Sequence, residues 1–198
     1  MMKEENKAYI TGLNVRDVPW HRLTTAYGRG TNFPVYFEVL TNMNDLKEVT
    51  NAIYELTTNM EHQSTLWHAT PFGMIFMNRI LIKALEKRKN NDIADYVVNN
   101  ISEFLNSIIQ CFIDGNKMEH ADQLPLFSDM LQEKYLWSEE YDEEDDELRY
   151  EEEEVFPDDL FYSFYYYSLQ SILAYKEDLE KYIEISSISK TIKILNQL

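Results

Sequence analysis

Apolar residues recur along most of this chain every three or four positions, the spacing that places them on one face of an α-helix. Trp20, Leu23 and Tyr27 predict a first helix from Asp17 or Val18, with Pro19 in its first turn and Gly28 and Gly30 as a left-handed stop. Asn32 then suits the cap of a second helix, with Pro34 in the first turn and Val35, Phe37, Val39 and Leu40 buried. Asn44 restarts a third helix with the stripe Leu46, Val49, Ile53 and Leu56. The clearest start in the chain is Thr70-Pro71, a hydroxyl followed by proline at the first helical position. The fourth helix carries Met74, Met77, Leu81, Ala84 and Leu85 on one face. Ile75, Ile80 and Ile82 widen that face, so this helix is expected at the centre of the fold. It ends in Lys87-Arg88-Lys89, which complements the negative end of the helix dipole.

A fifth helix from Asn91 or Asp92 has the most regular stripe: Ile93, Val97, Ile101, Phe104, Leu105, Ile108 and Phe112. Residues 114–123 are polar and read as a loop. Pro125 is expected to open a sixth helix with Leu126, Phe127, Met130, Leu131, Tyr135 and Leu136. Pro157 precedes a seventh with Leu160, Phe161, Phe164, Tyr165, Leu169, Ile172 and Leu173. In the tail, Ile183 and Ile185 alternate as in a strand, but Ile185, Ile188, Ile192 and Leu195 keep helical spacing, and helix is the reading adopted. Glycine and proline number only five each, too few for the many tight turns of a β-sandwich. The expectation is one all-α domain over 1–198, with 1–15 as an N-terminal extension and 138–156 as an acidic loop. Antiparallel helix pairs, 32–43 with 44–60 and 70–88 with 91–113, would stack as a short HEAT-like α-solenoid. No strict repeat is present, so periodicity leaves solenoid and bundle both open.

Charge changes the picture most. Of the sixteen residues 139–154, twelve are acidic and only Arg149 is basic, so this segment holds most of the chain's net charge of −17. The acidity is local. It repels nucleic acid and anionic lipid and attracts basic proteins. Direct nucleic-acid binding is the least expected function, because it needs a basic groove and 18 Lys and Arg face 35 acids here. A membrane span is not expected, because no run of 18 apolar residues exists. A single cysteine, Cys111, rules out an intrachain disulfide, and the charged start MMKEENKAYITG shows no apolar leader. A cytoplasmic location is the resulting expectation.

Three stretches carry a resemblance. They are Val18-Pro19-Trp20-His21-Arg22-Leu23-Thr24-Thr25-Ala26-Tyr27-Gly28-Arg29, Asn51-Ala52-Ile53-Tyr54-Glu55-Leu56, and Glu61-His62-Gln63-Ser64-Thr65-Leu66-Trp67-His68-Ala69-Thr70-Pro71. In this order they resemble a group of bacterial HEAT-like helical-repeat proteins, over about residues 18–85. Those proteins share a tryptophan followed by leucine, an Ala-Tyr-Gly turn, a His-Gln pair and an Ala-Thr step into an apolar helix. Members of such groups occur in toxin–immunity loci, so the resemblance implies toxin neutralisation. The acidic tract and the Tyr-rich C-terminal third depart from the group.

Candidate chemistry is thin. His62, His68 and Glu61 could form a metal site, but no His-x-x-x-His or His-Glu-x-x-His spacing is present, and hydrogen bonding to exposed backbone between two helices is the preferred reading. Cys111 beside Ile108 and Phe112 reads as a small buried apolar residue rather than a nucleophile. The run 142–147 lacks the glycine of a calcium loop, having Glu147 at the sixth position. No metal, cofactor or catalytic residue is therefore assigned. Tyr165-Tyr166-Tyr167 sweeps about 200° of a helix, so at least one ring should leave the core as a recognition residue, the alternative being that the rings pack in the core with their hydroxyls reaching water. Tyr141, Leu148, Tyr150, Val155 and Phe156 interleave the acids, which favours a partner-facing tract over a solvated one. The expected function is a non-enzymatic protein-binding module, specifically an immunity protein that blocks a basic toxin. Its partner-binding residues would be Glu139, Glu140, Tyr141, Asp142, Glu143, Glu144, Asp145, Asp146, Glu147, Tyr150 and Tyr166. The alternatives are a helical scaffold with an incidental acidic loop and an enzyme using the His/Glu cluster.

Overall fold

A computed structural model describes residues 2–151 and 156–198, Tyr150 and Glu151 by their backbone alone. The described chain is mostly helical, as the periodicity predicts. The helices are α1 (Glu4–Gly12), α2 (Phe33–Asn42), α3 (Leu46–Met60), α4 (Ala69–Lys87), α5 (Asp92–Gly115), α6 (Glu143–Glu151), α7 (Asp158–Leu173), α8 (Lys176–Glu180) and α9 (Ser186–Leu195). Two minimal hairpins punctuate them. β1 (Thr24–Thr25) pairs with β2 (Gly28–Arg29), and β3 (Glu61–His62) pairs with β4 (Thr65–Leu66), both antiparallel.

Helix α4 is central: it packs against α7, α5, α2 and α3, and its buried residues face all round the helix. A helix apolar on every side has to be enclosed by others. α5 makes the next layer against α4, α7, α9 and α3. Trp20, Phe33, Phe37 and Phe76 form one aromatic cluster, with ring centroids 5.3–6.0 Å apart across the contacting pairs. Phe127 joins Tyr9, Phe72 and Tyr167 in another. In the tail, Ile185, Ile188, Ile192 and Leu195 are all buried, so the helical spacing is the one the chain uses.

Several expectations are corrected. The helix expected over 17–27 is instead a pair of 3-10 turns, Val15–Asp17 and Trp20–Arg22, followed by the first hairpin. Gly28 has φ +116°, which serves the end of that hairpin's turn and not a helix cap. The sixth helix is replaced by 3-10 turns Phe127–Leu131 and Glu133–Tyr135, interrupted by the extended backbone of Gln132. Its apolar residues anchor the segment all the same, since Phe127 and Met130 are fully buried. Residues 1–15 are more than an extension: α1 buries Ile10, and the Arg79 guanidinium binds the carbonyls of Ile10, Thr11 and Leu13 at its C-terminal end. Asp45, one residue beyond the expected Asn44, caps α3 by accepting from the Glu48 N–H at 2.9 Å. Val35 and Leu46, expected inside, are exposed. The acidic segment is not simply a loop, because 143–151 is helical; residues 152–155, including Val155, lie outside the described residues.

Candidate functional site

The site is built where the acidic segment meets the first hairpin. A run of like charges repels itself, so its helix needs support. Asp142 supplies some: its Oδ1 accepts from the N–H groups of Glu144 and Asp145 at 3.0 and 3.1 Å. The acids of the first turn, Glu143 to Asp146, also sit at the positive end of the helix dipole, with Arg149 in the last turn.

Two arginines supply the rest. Arg29, on β2, donates from Nε to Asp146 Oδ2 at 2.8 Å and from a terminal nitrogen to Asp146 Oδ1 at 2.5 Å. The Arg29 side chain is 3% exposed and that of Asp146 is 7% exposed. The same guanidinium donates to the carbonyls of His21, Ser138 and Glu140 and to the Ser138 hydroxyl. It also lies over the rings of Trp137 and Tyr141, 5.4 and 5.3 Å from their centroids. Arg22 reaches Glu133 and Glu139 with its terminal nitrogens and the Trp137 carbonyl with Nε. The Trp137 N–H returns a bond to the Arg22 carbonyl at 3.1 Å. Arg22 and the neighbouring His21 hold the carboxyls of Glu133 and Glu139 below the usual range through hydrogen bonding and charge.

Between the hairpin and α6 lies a cavity of about 660 Å³. Tyr27, Trp67, Trp137 and Tyr141 form its aromatic walls, and Glu143, Asp146 and Glu147 face it from one side of α6. Their spacing of three and four residues puts these carboxylates on a single helix face. Two lining residues also carry buried polar atoms without a hydrogen-bond partner among the described residues, Thr24 Oγ1 and Trp137 Nε1. Such atoms cost about 1–3 kcal/mol each when left unsatisfied.

The residues selected from sequence are thus divided. Glu143, Asp146, Glu147 and Tyr141 meet at the cavity, while Glu140, Asp142, Glu144 and Asp145 are exposed around it. Glu139 is exposed but tied to His21 and Arg22. Asp146 is corrected from a partner-facing acid to a buried one already neutralised by Arg29. Tyr150 falls on the α6 backbone, and its side chain is not among those described. Tyr166 stands apart on α7, half-buried against Tyr162 and Tyr167. Its neighbours are inside: the hydroxyl of Tyr165 donates to the Ser64 carbonyl and that of Tyr167 to the Leu124 carbonyl.

The histidines take separate partners. His62 Nδ1 is 3.1 Å from the Tyr27 hydroxyl, which joins the two hairpins. His68 is fully enclosed, stacked on Phe164, with Nε2 2.8 Å from the Met130 carbonyl. Burial lowers its pKa to about 4, so this ring is neutral and donates from Nε2. No group of three His, Cys, Asp or Glu among the described residues is placed to hold a metal ion. Cys111 is buried, and desolvation pushes its thiol up to about 12, far from a reactive thiolate.

Sequence reasoning missed Arg22, Arg29, Thr24, Trp67 and Trp137 as parts of this site. A signal existed: a chain this acidic with few arginines has to neutralise buried carboxylates with those few, and two of them lie seven residues apart before α2. Compared with family models, curated proteins and solved structures, the chain matches none. No helix among the described residues is long and apolar enough to cross a membrane.

Proposed function

We propose that this chain is a non-enzymatic protein-binding module whose partner is basic, and that it acts as an immunity protein covering a cationic toxin. The observation that carries the reading is a display of carboxylates on a fixed platform. Glu140, Asp142, Glu144 and Asp145 are exposed on a segment that Arg22 and Arg29 clamp to the hairpin. Holding such charges in place before encounter speeds association with a positive surface and removes part of the ordering cost of binding. Tyr141, 63% exposed beside them, supplies an aromatic anchor of the kind that dominates interface energy. The HEAT-like arrangement belongs to the same proposal. Its support is the packing of consecutive helices α2 with α3 and α4 with α5. A cytoplasmic setting and the exclusion of nucleic acid as partner complete it, the latter from the repulsion between phosphates and this surface.

The test uses the intact chain and a variant carrying Glu140→Gln, Glu144→Gln and Asp145→Asn as baits for lysate of the source organism, at low and moderate salt. Proteins retained are identified, and the association rate of each with both baits is measured. The expected result is a basic protein held by the intact chain, released as salt rises, and captured at least about tenfold more slowly by the variant. A partner held equally by both baits at low salt would sink the electrostatic reading. If that partner were lost on Tyr166→Ala, recognition would belong to the helical face of α7.

A further inference from the structure

The geometry points to the cavity between the first hairpin and α6 as a receptor for one organic cation, an alkylammonium or guanidinium group. The inference deepens the reading above, because a lysine or arginine of a basic partner is such a group, and it uses different residues. Among the described residues, four aromatic side chains and three carboxylates line the cavity, and no lysine or arginine does. Asp146 is already neutralised by Arg29, whereas Glu143 and Glu147 make no ion pair among the described residues. The cavity therefore keeps two uncompensated negative charges against aromatic walls. Aromatic faces attract cations through their quadrupole, and aromatic cages are a recurrent solution for ammonium groups. Two of these rings already accept one guanidinium, that of Arg29.

The lining narrows the ligand. An anion meets Glu143 and Glu147, and no group of three His, Cys, Asp or Glu among the described residues is placed to hold a bare metal ion. The volume of about 660 Å³ is that of a small-molecule site and leaves room for a lysine or arginine side chain with part of its backbone.

The experiment titrates the full chain with N-acetyl-arginine methylamide, N-acetyl-trimethyllysine methylamide and spermidine at constant ionic strength. N-acetyl-norleucine methylamide is the neutral control. The indole N–H resonances are the readout, since Trp67 and Trp137 line the cavity while Trp20 Nε1 is bonded to the Val15 carbonyl elsewhere. Saturable shifts of Trp67 and Trp137 but not Trp20 are expected with the cations alone. The variant Glu143→Gln/Glu147→Gln, changed only at exposed positions, should bind ~5- to 30-fold more weakly with an unaltered fold by circular dichroism. Tighter binding of the capped amino acids than of spermidine would assign the cation to a polypeptide. The reverse order would assign it to a free polyamine. Absence of saturation with every cation, equal binding by the variant, or an equal response to norleucine would overturn the inference. The two readings fail separately: the carboxylates tested for partner capture, Glu140, Glu144 and Asp145, lie outside the cavity lining.

Discussion

Replacing Asp146 tests whether the acidic segment is part of the folded structure. Asp146→Ala removes the only carboxylate paired with Arg29 among the described residues and leaves a guanidinium that is 3% exposed. Removing one member of a buried ion pair typically costs about 3–5 kcal/mol, because the remaining charge stays out of water. Two features lower that value here. Arg29 keeps bonds to the His21, Ser138 and Glu140 carbonyls and the Ser138 hydroxyl, and α6 can lift away so that water reaches the cation. The expected loss is therefore about 3 kcal/mol, a large part of the roughly 5–15 kcal/mol that stabilises an ordinary domain. Urea unfolding measures the loss, and a Glu-specific protease measures the lifting, which should expose 139–151 to cleavage. Glu144→Ala, at an exposed position of the same helix, should change stability by no more than about 0.5 kcal/mol. Replacing both partners, Arg29→Met with Asp146→Leu, should recover much of the stability, since no buried charge remains. If Asp146→Ala were as mild as Glu144→Ala, and cleavage unchanged, the clamp would contribute nothing to the stability of the fold.

Two further perturbations address the core. Because His68 is held near pKa 4 in the fold and near 6.5 when unfolded, the unfolded chain binds more protons between those values. Its contribution of about 3 kcal/mol is fully present above pH 6.5 and is lost as pH falls towards 4. Urea unfolding from pH 7 to 4.5 should show that slope, and His68→Gln should flatten it; an unchanged slope would refute the assignment. Arg79→Met should release α1, because the guanidinium binds its last carbonyls and the Tyr175 hydroxyl. A loss of about 2 kcal/mol, with faster amide exchange over Glu4–Gly12 than elsewhere, is expected, and uniform exchange would count against it.

The helices that the sequence announced best are those whose apolar stripes are long. α5 shows a seven-member stripe and is capped by Asn91, whose side chain accepts from the N–H groups of Ile93 and Ala94. α4 begins at Ala69, one residue before the Thr70-Pro71 signal. The Thr70 hydroxyl there accepts from the Trp67 N–H and donates to the Met60 carbonyl, tying two elements together where a simple cap was expected. The hairpins were illegible because two-residue strands have no periodicity to read. Gln63 and Ser64 both take positive φ in the second turn, a conformation their identities do not signal. It is held from outside, by the Tyr165 hydroxyl on the Ser64 carbonyl. The segment 125–136 misled for a related reason. Its apolar residues have helical spacing, yet Phe127 packs against Tyr9 of α1, Phe72 of α4 and Tyr167 of α7 from a 3-10 turn.

What the sequence determined by itself was the helical class, the central place of α4 and the concentration of acid in one segment, since each depends on periodicity or composition within a local window. Tertiary structure alone decided what that acid does. Arg29 and Asp146 are 117 residues apart, and no local pattern reports a pairing that only the packed hairpin and α6 bring about. The same contact divides identical side chains by direction: Asp146 is enclosed, Glu143 and Glu147 line a cavity, and Glu144 and Asp145 face water. Charge counted along the chain cannot separate these roles, because the energy of a carboxylate is set by its surroundings, and those are assembled by distant residues.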